Sequence, residues 1–351
     1  MTKTLTLAAF ALSLLVGGAA PAHAAKYKIR WLLGHSNLDF FEAAARSFKS
    51  SVEKESNGDI EVQIVTAADP WRADGAKPEI ADKVSRGEAE MGHSFTNVLG
   101  GMDHRLWAFD CPYLMNGYLH MEQVMEGPVG AELLEGMRAR NMVGLAFTYS
   151  GGAQGVAATS GEIRGPEDLK GRKVGVFGTD VDVAWLKALG ATPVPIEHKL
   201  MSIGRLTAEG KIDSVVVTWR RVYEANLQDR YRTVNLMNSS FLTSVTYINA
   251  KFYDGLPEKY RKLIKDATVS AARIERARTI ELNEMSKNVF TAKGVSPVYL
   301  SDAGRARFRE ALRPVYERSL NALVGRELIE KIRATGDAPR LPSGLETVAG
   351  R

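Results

Sequence analysis

The chain has 351 residues, of which 45% are hydrophobic and 25% charged, with 46 Lys and Arg against 41 Asp and Glu. This composition is typical of a folded globular protein, and it excludes a disordered chain, a collagen-like repeat and a disulfide scaffold. One hydrophobic core usually stops growing at about 250 to 300 residues, so we expect two compact units. The single cysteine, Cys111, lies in an apolar segment and is predicted to be a buried hydrophobic side chain.

The N-terminal segment has the pattern of an export signal. Lys3 is followed by an apolar run from Leu5 to Val16 and then by the small-residue pattern Ala22-His23-Ala24. The run is shorter than the roughly 20 residues that span a bilayer, which argues against a membrane anchor. We therefore expect residues 1–24 to be a cleaved signal peptide and the mature protein to reside in the periplasm.

The mature chain opens with a strand, a helix and a second strand. The segment KYKIRWLLGHSN, residues 26–37, alternates in hydrophobicity and predicts a strand that ends in a polar turn. Apolar residues at helical spacing follow from Phe40 to Val52, and Asn57-Gly58 ends that helix. The segment DIEVQIV, residues 59–65, alternates again. This order favours a parallel sheet, and because similar patterns recur further on, we expect an α/β fold.

A long helix is predicted from Pro257 to Lys293, because apolar residues keep helical spacing there without an internal Gly or Pro. At 1.5 Å per residue it would be about 55 Å long, which exceeds the width of one small unit, so we expect it to bridge both. A Gly-, Ser- and Thr-rich passage from Ser150 to Gly165 predicts a crossing between the units. Another helical region is predicted over residues 302–334, and a frayed tail over residues 336–351.

Signatures of enzymes and of nucleic-acid binding are missing from the sequence. It contains no nucleophile elbow, no phosphate-binding glycine loop and no His-Glu-x-x-His helix. The histidines of the mature chain show no ligand spacing, and we interpret them as surface or capping residues rather than metal ligands: His35, His93, His104, His120 and His198. The basic residues between Lys251 and Arg278 are not interleaved with aromatic residues. We therefore expect no cofactor, no metal ion and no nucleic acid as a partner.

Polar and aromatic residues follow several of the predicted strands. Ligands of open α/β sheets bind beyond the carboxyl ends of strands, and between two such sheets when they face each other. A small solute is therefore expected to bind where these strand ends meet. The candidate ligand-binding residues are Asn37, Trp71, Ser94, Gln154, Gly175, Phe177, Thr179, Thr218, Trp219 and Arg220.

Several segments, in order, resemble the DctP-type substrate-binding proteins of tripartite ATP-independent periplasmic (TRAP) transporters. LWAFDCPYLM, residues 106–115, is similar to the family's FDLPFLF, and GPEDLKGRKVGV, residues 165–176, to its PEDLKGLKIRV. INAKFYDGLPEKYRKLI, residues 248–264, is similar to INKKFWDSLPEEYRKII. LGATPVPI, EGKIDS and VYEANLQDRY occupy further family positions between them.

The resemblance implies a two-lobed periplasmic-binding-protein-like fold with a long helix that bridges both lobes. We expect lobe I to comprise residues 25–149 and 239–265, lobe II residues 150–238 and 294–335, and the bridging helix residues 257–293. The lobes would close over one small solute, and the protein, which we expect to be a monomer, would deliver it to the membrane permease subunits of a TRAP transporter. It would not be an enzyme.

This sequence departs from the family pattern where relatives bind carboxylates. An Arg of the family's strand after PEDLKG is replaced by Gly175, and a second Arg aligns with Gln154. Polar residues at the end of a later strand are replaced by Val215, Val216 and Val217. Gly175 would leave room in the cleft, and Phe177 would share its strand face because side chains alternate with period two.

Two interpretations of the solute follow from these departures. In the slightly favoured one the solute is an organic acid, and another cation such as Arg220, Arg221 or Arg72 replaces the missing Arg. In the other the solute is neutral or cationic, with Asp180 or Asp182 as its counter-charge. Two further functions stay open: an exported binding protein of the same fold that serves a sensor or another partner, and an enzyme on this scaffold.

Overall fold

The computed structural model describes residues 24–34, 39–66, 78–196, 200–224 and 226–336. Most of the predicted signal peptide, most of the predicted tail, and the candidate residues Asn37 and Trp71 lie outside these ranges. Among the residues within them, no helix is both long and apolar enough to cross a membrane.

Eleven strands of the described residues form two separate sheets. The strands are β1 (Tyr27–Leu33), β2 (Ile60–Val65), β3 (Met91–Phe95), β4 (Met142–Ala153), β5 (Gly155–Ala158), β6 (Lys173–Val176), β7 (Thr192–Pro195), β8 (Ser214–Val217), β9 (Thr233–Leu236), β10 (Phe241–Asn249) and β11 (Ser296–Tyr299). The first sheet has the order β2-β1-β3-β10-β4, and the second has the order β11-β9-β5-β8-β6-β7. The predicted parallel pairing of the first two strands is observed, with Tyr27 opposite Ile60.

Helices cover these sheets and continue beyond them. They are α1 (Asp39–Glu55), α2 (Pro78–Arg86), α3 (Thr96–Leu99), α4 (Tyr118–Glu126), α5 (Pro128–Gly136), α6 (Asp180–Ala188), α7 (Leu200–Ala208), α8 (Trp219–Glu224), α9 (Ala250–Asp254), α10 (Glu258–Ala292), α11 (Asp302–Val315) and α12 (Arg326–Gly336). Short 3-10 helices include His104–Asp110 and Pro166–Leu169, and a π-helix, Tyr316–Gly325, joins α11 to α12. The mixed α/β class agrees with the sequence prediction.

The chain crosses between the sheets at two adjacent points. β4 of the first sheet leads through Gln154 into β5 of the second, and β9 returns to β10 through residues 237–240. The two crossings bond to each other: Gln154 N–H donates to Ser240 O at 2.9 Å, and Ser239 N–H donates to Gln154 O at 3.1 Å. The Gly-rich passage therefore contains a crossing, as predicted.

The long helix α10 lies along the outer edge of β4. Its side chains bond the backbone of alternate residues of that strand: Lys265 Nζ donates to Leu145 O at 2.5 Å, and Arg276 Nη1 donates to Phe147 O at 2.9 Å. Glu275 Oε2 accepts from Tyr149 N–H at 2.7 Å. Alternate residues of an edge strand direct their backbone groups outward, so the helix replaces a missing neighbouring strand.

The C-terminal helices contact the layers of both sheets. α11 packs on α6, which lies against the second sheet, whereas α12 packs on α4 and α5, which lie against β4 of the first. Phe308, Leu320 and Ile332 of this region belong to the same buried cluster as Phe147 and Val174 of the strands. This packing shields one face of each sheet, and the cluster also contains Cys111, which is buried as predicted.

Two buried carboxyl groups meet where the 3-10 helix His104–Asp110 packs against α6. Asp110 is 2% exposed and Asp182 is 5% exposed. Burial, followed by the charge of Asp182, raises the pKa of Asp110 well above its usual value. Burial raises the pKa of Asp182 to about 6, although bonds from Trp185 and Thr179 oppose that shift. At neutral pH the pair therefore carries at least one proton.

We expect Asp110→Asn to stabilise the protein at neutral and alkaline pH. The raised pKa means that folded Asp110 keeps a proton that the unfolded chain releases above about pH 4, so its contribution to the free energy of unfolding falls as pH rises. An amide cannot ionise, so the variant should unfold at a higher temperature than the wild type at pH 8. The melting temperatures of the two proteins should be nearly equal near pH 4. Thermal melts between pH 4 and pH 8 measure this difference.

Asp229→Asn is the matched control, because Asp229 is exposed. This variant should show the same change in melting temperature between pH 4 and pH 8 as the wild type. An Asp110→Asn variant whose melting temperature follows the wild type at every pH would show that Asp110 carries no extra proton in the folded protein.

Candidate functional site: the cleft between the two sheets

A strand end of the first sheet lies near a strand end of the second, and we call the region between them the cleft. β3 of the first sheet ends at Phe95, and β8 of the second ends at Val217. The guanidinium carbon of Arg221, in α8, lies 5.4 Å from the centroid of the Phe95 ring. Because these residues follow strands of different sheets, their contact spans the cleft, in the position where α/β sheets bind ligands.

Gln154 lies in the crossing at the base of the cleft and is 5% exposed. Its Nε2 donates to Ser240 Oγ at 3.0 Å, which adds a side-chain bond to the backbone bonds between the crossings. The structure thus places this candidate at the junction of the two sheets.

Two glycines at the end of β4 pack closely against side chains, Gly151 against Thr218 and Gly152 against Tyr118. A Cβ at Gly151 would lie 2.8 Å from Thr218 Oγ1, and a Cβ at Gly152 would lie 2.5 Å from the Tyr118 hydroxyl. Both glycines have positive φ, +136° and +71°. Real Cβ atoms do not approach other atoms so closely, so these positions require glycine on both steric and conformational grounds.

Trp219 and Arg220 are directed toward the long helix. The Trp219 ring stacks on Phe290 of α10 with centroids 5.5 Å apart, and only 6% of the residue is exposed. Arg220 N–H donates to Asn283 Oδ1 at 3.2 Å, and its guanidinium lies 5.4 Å from the Tyr223 centroid. The backbone at the start of α8 is thereby fixed to the helix that also binds Gly151 O through Asn283 Nδ2 at 2.7 Å.

Ser94 and Thr179 have structural bonds at strand and helix ends. Ser94 is 2% exposed, and its hydroxyl lies 2.7 Å from the Tyr247 hydroxyl. Thr179 is 3% exposed and caps α6, because its Oγ1 accepts from Asp182 N–H at 3.0 Å. A threonine that accepts from the third helical residue stabilises a helix by about 1 kcal/mol.

The space beside Gly175 is filled by aliphatic side chains. A Cβ at this position would lie 3.1 Å from Ile212 Cδ1 and 3.5 Å from Ile196 Cγ2 and Val215 Cγ2. The expectation that Gly175 leaves open room is therefore wrong, because three residues distant in sequence occupy that room. Phe177 is half-buried and packs against the same apolar cluster, so this wall of the second sheet is apolar.

A small cavity of about 180 Å³ lies behind the crossing, between α10 and the second sheet. Gln154 and Trp219 both line it, together with Asn283 and Lys287 of the long helix. The structure thus brings together two of the candidate residues, at the junction of the crossing with α10.

A row of buried polar side chains crosses the first sheet near the cleft. His93 Nε2 lies 3.0 Å from Thr148 Oγ1 and 2.8 Å from Ser244 Oγ, and Ser150 Oγ donates to Ser244 Oγ at 2.5 Å. The four residues come from β3, β4 and β10, and each is at most 4% exposed. Burial lowers the pKa of His93 to about 3, so its ring is neutral.

These positions correct part of the sequence interpretation. His93 is buried in the first sheet and is not a surface or capping residue. His120 is buried as well, but it bonds backbone groups near two helix ends: its Nδ1 accepts from Asn116 N–H at 3.1 Å, and its Nε2 lies 2.8 Å from Ile332 O. The hydroxyl row itself was not predicted. Its signal was the recurrence of Thr148 and Ser150 two residues apart in an otherwise apolar strand, which places both on one face. In the described part of the chain, no three His, Cys, Asp or Glu side chains form a group that could hold a metal ion.

Comparison with known proteins connects this architecture to one family. The family model for bacterial extracellular solute-binding protein, family 7 (DctP), matches residues 34–322. A C4-dicarboxylate-binding protein, DctB of Bacillus subtilis (strain 168), is 21% identical over 290 residues, which cover 82% of this chain and 81% of the relative.

Solved structures share the fold. One is a TRAP periplasmic solute-binding protein from Ochrobactrum anthropi, with its C-terminus bound in the ligand-binding pocket. It has a TM-score of 0.83 and 21% identity, and the match covers 90% of this chain and 95% of that protein's chain. The sugar acid binding protein DctPAm from Advenella mimigardefordensis strain DPN7T, in complex with galactonate, has a TM-score of 0.78 and 21% identity over 90% and 99% of the chains. Because the family model matches most of its length, the chain belongs to family 7 of the bacterial extracellular solute-binding proteins, the DctP family.

Proposed function

We propose that this protein is the exported receptor of a TRAP transporter, which binds one organic acid in the cleft and delivers it to the permease subunits of the membrane. The observation that carries the proposal is the pair of sheets joined by two crossings, which are bonded to each other at Gln154. Its family consists of substrate-binding receptors rather than enzymes, and we propose that this member is a monomeric receptor without catalytic activity.

Closure of the cleft is the proposed binding step. Two short crossings and one long helix connect the sheets, so the second sheet can rotate about the crossings while α10 bends. Closure removes water, which strengthens each polar contact between protein and solute. The proposed walls are Phe95 from the first sheet and Phe177, Thr218 and Arg221 from the second. Asn37 and Trp71 remain predicted members of the site.

The proposed solute is a hydroxylated monocarboxylic acid. The galactonate complex of a solved relative supports this class. Gly175 is surrounded by aliphatic side chains of Ile212, Ile196 and Val215, so the second sheet offers an apolar surface where a small dicarboxylate would need charge. A buried charge without a partner costs several kcal/mol.

We expect D-galactonate, D-gluconate or D-erythronate to raise the melting temperature of the mature protein. A ligand that binds only the folded state at 100 times its dissociation constant adds about 2.7 kcal/mol to the free energy of unfolding. Succinate, malate and fumarate should cause smaller shifts at equal concentration. Submicromolar binding of a C4-dicarboxylate in calorimetry would contradict the proposed solute class.

Phe177→Ala should weaken binding of the best acid by about tenfold or more, because an aromatic wall contact contributes about 1 to 3 kcal/mol. Titration calorimetry measures the change. Phe252→Ala is the matched control, since Phe252 is also half-buried but packs against the first sheet's far cluster. Equal affinity of Phe177→Ala and wild type would remove Phe177 from the site.

Export should remove residues 1–24, so the mature protein should begin at Ala25. Intact-mass measurement of protein recovered from the periplasm tests this, because the small residues at Ala22 and Ala24 define the cleavage pattern. Ala22→Gln should retain the segment by placing a large side chain in that pattern. Periplasmic wild-type protein that still carries Met1 would overturn the proposed cleavage.

A further inference from the structure

Another cavity, of about 710 Å³, lies between the C-terminal helices and the segment that follows the 3-10 helix His104–Asp110. Pro112, Tyr113, Leu114 and Asn116 of that segment contribute one part of its lining. The remainder comes from α11, the π-helix and α12. None of the four proposed walls of the cleft lines this cavity, so it is separate from the proposed solute site.

Arginines outnumber glutamates around this cavity. Its lining holds three glutamates and four arginines, which are Arg309, Arg313, Arg326 and Arg333. Arg313 forms an ion pair with Glu310 at 2.8 Å, whereas Arg309 Nη2 donates to the amide oxygen of Asn116 at 2.9 Å. Arg333 lies over the Tyr316 ring, 4.8 Å from its centroid. Among the described residues, Arg309, Arg326 and Arg333 have no carboxylate partner, so three guanidiniums can pair with an anion from solution.

Tyr113 adds a buried hydroxyl without a partner to this lining. The residue is 6% exposed, and its ring stacks on Phe308 with centroids 5.4 Å apart. Its hydroxyl oxygen has no hydrogen-bond partner among the described residues. Burial raises the pKa of Tyr113 against the charges of Arg305 and Arg309, so the hydroxyl keeps its proton at neutral pH. A buried hydroxyl that donates to nothing is unfavourable, which indicates an acceptor in the adjoining cavity.

We propose that this cavity is a second binding site, for a soluble compound that carries phosphate groups. Guanidinium N–H groups match phosphate oxygens in a bidentate fork, and the Tyr113 hydroxyl would donate to a further oxygen. A phosphate group carries about two negative charges at neutral pH, so it gains more than a monocarboxylate from three unpaired arginines. This site is independent of the proposed function of the cleft.

Calorimetry of the mature protein with pyrophosphate at low ionic strength tests this site, because salt screens exposed charges. The wild-type protein should bind pyrophosphate saturably. Arg326→Gln should weaken this binding by about tenfold, since it removes one charge-assisted pair. Tyr113→Phe should weaken it by about threefold. The same variant should raise the melting temperature of the ligand-free protein, because it removes an unpartnered buried hydroxyl.

Arg318→Gln is the matched control, because Arg318 is an exposed arginine of the π-helix that does not line the cavity. It removes the same charge and should leave pyrophosphate affinity unchanged, and thermal melts establish that each variant is folded. Equal losses in Arg318→Gln and Arg326→Gln would mean diffuse attraction to a basic surface, which overturns the proposal. Unchanged affinity in both Arg326→Gln and Tyr113→Phe, or no saturable binding to the wild type, would overturn it as well.

Phospholipids are the other source of phosphate groups, and sedimentation with phosphatidylglycerol vesicles measures their binding. Wild-type protein that binds pyrophosphate and stays in the supernatant would support a site for a soluble ligand. Protein that sediments with the vesicles but does not bind pyrophosphate would assign the arginines to a membrane surface and overturn the proposal.

Discussion

Strand β4 lies at the edge of the first sheet, and the arrangement of the whole molecule depends on how its outer backbone groups are satisfied. Side chains of α10 bond at least one backbone group of each of residues 145, 147, 149 and 151 of this strand. Glu275 accepts from Tyr149 N–H, and this carboxyl is so buried that its pKa rises to about 8. An unsatisfied buried backbone group costs about 1 to 3 kcal/mol, so separation of α10 from β4 would be unfavourable.

The position of the cleft follows from this attachment. The same strand that α10 holds continues through Gly151 and Gly152 into the crossing at Gln154. Asn283 of α10 bonds two other segments. Its Nδ2 donates to Gly151 O in β4, and its Oδ1 accepts from Arg220 N–H at the start of α8. One side chain thereby fixes the distance between the first sheet's edge strand and the segment that carries Arg221.

The sequence was most informative where its signals were local. Pro257 to Lys293 contains no internal Gly or Pro, and the observed helix, Glu258–Ala292, differs from that range by one residue at each end. The position of side chains in the site depends on distant partners, which periodicity cannot reveal. Trp219 resembles a ligand wall in sequence but stacks on Phe290, and the space beside Gly175 is filled by Ile212, which precedes another strand.

The bare backbone at Gly151 has a consequence for how the size of the solute is set. A Cβ at residue 151 would lie 2.8 Å from Thr218 Oγ1, so the Thr218 side chain packs directly against the bare backbone at the end of β4. The Cβ of an alanine at residue 151 would push Thr218 of the second sheet's side away from β4 of the first sheet. We therefore expect the space between the two sheets to depend on the absence of a side chain at this position. A substitution at residue 151 would alter this spacing without replacing any side chain of the proposed site.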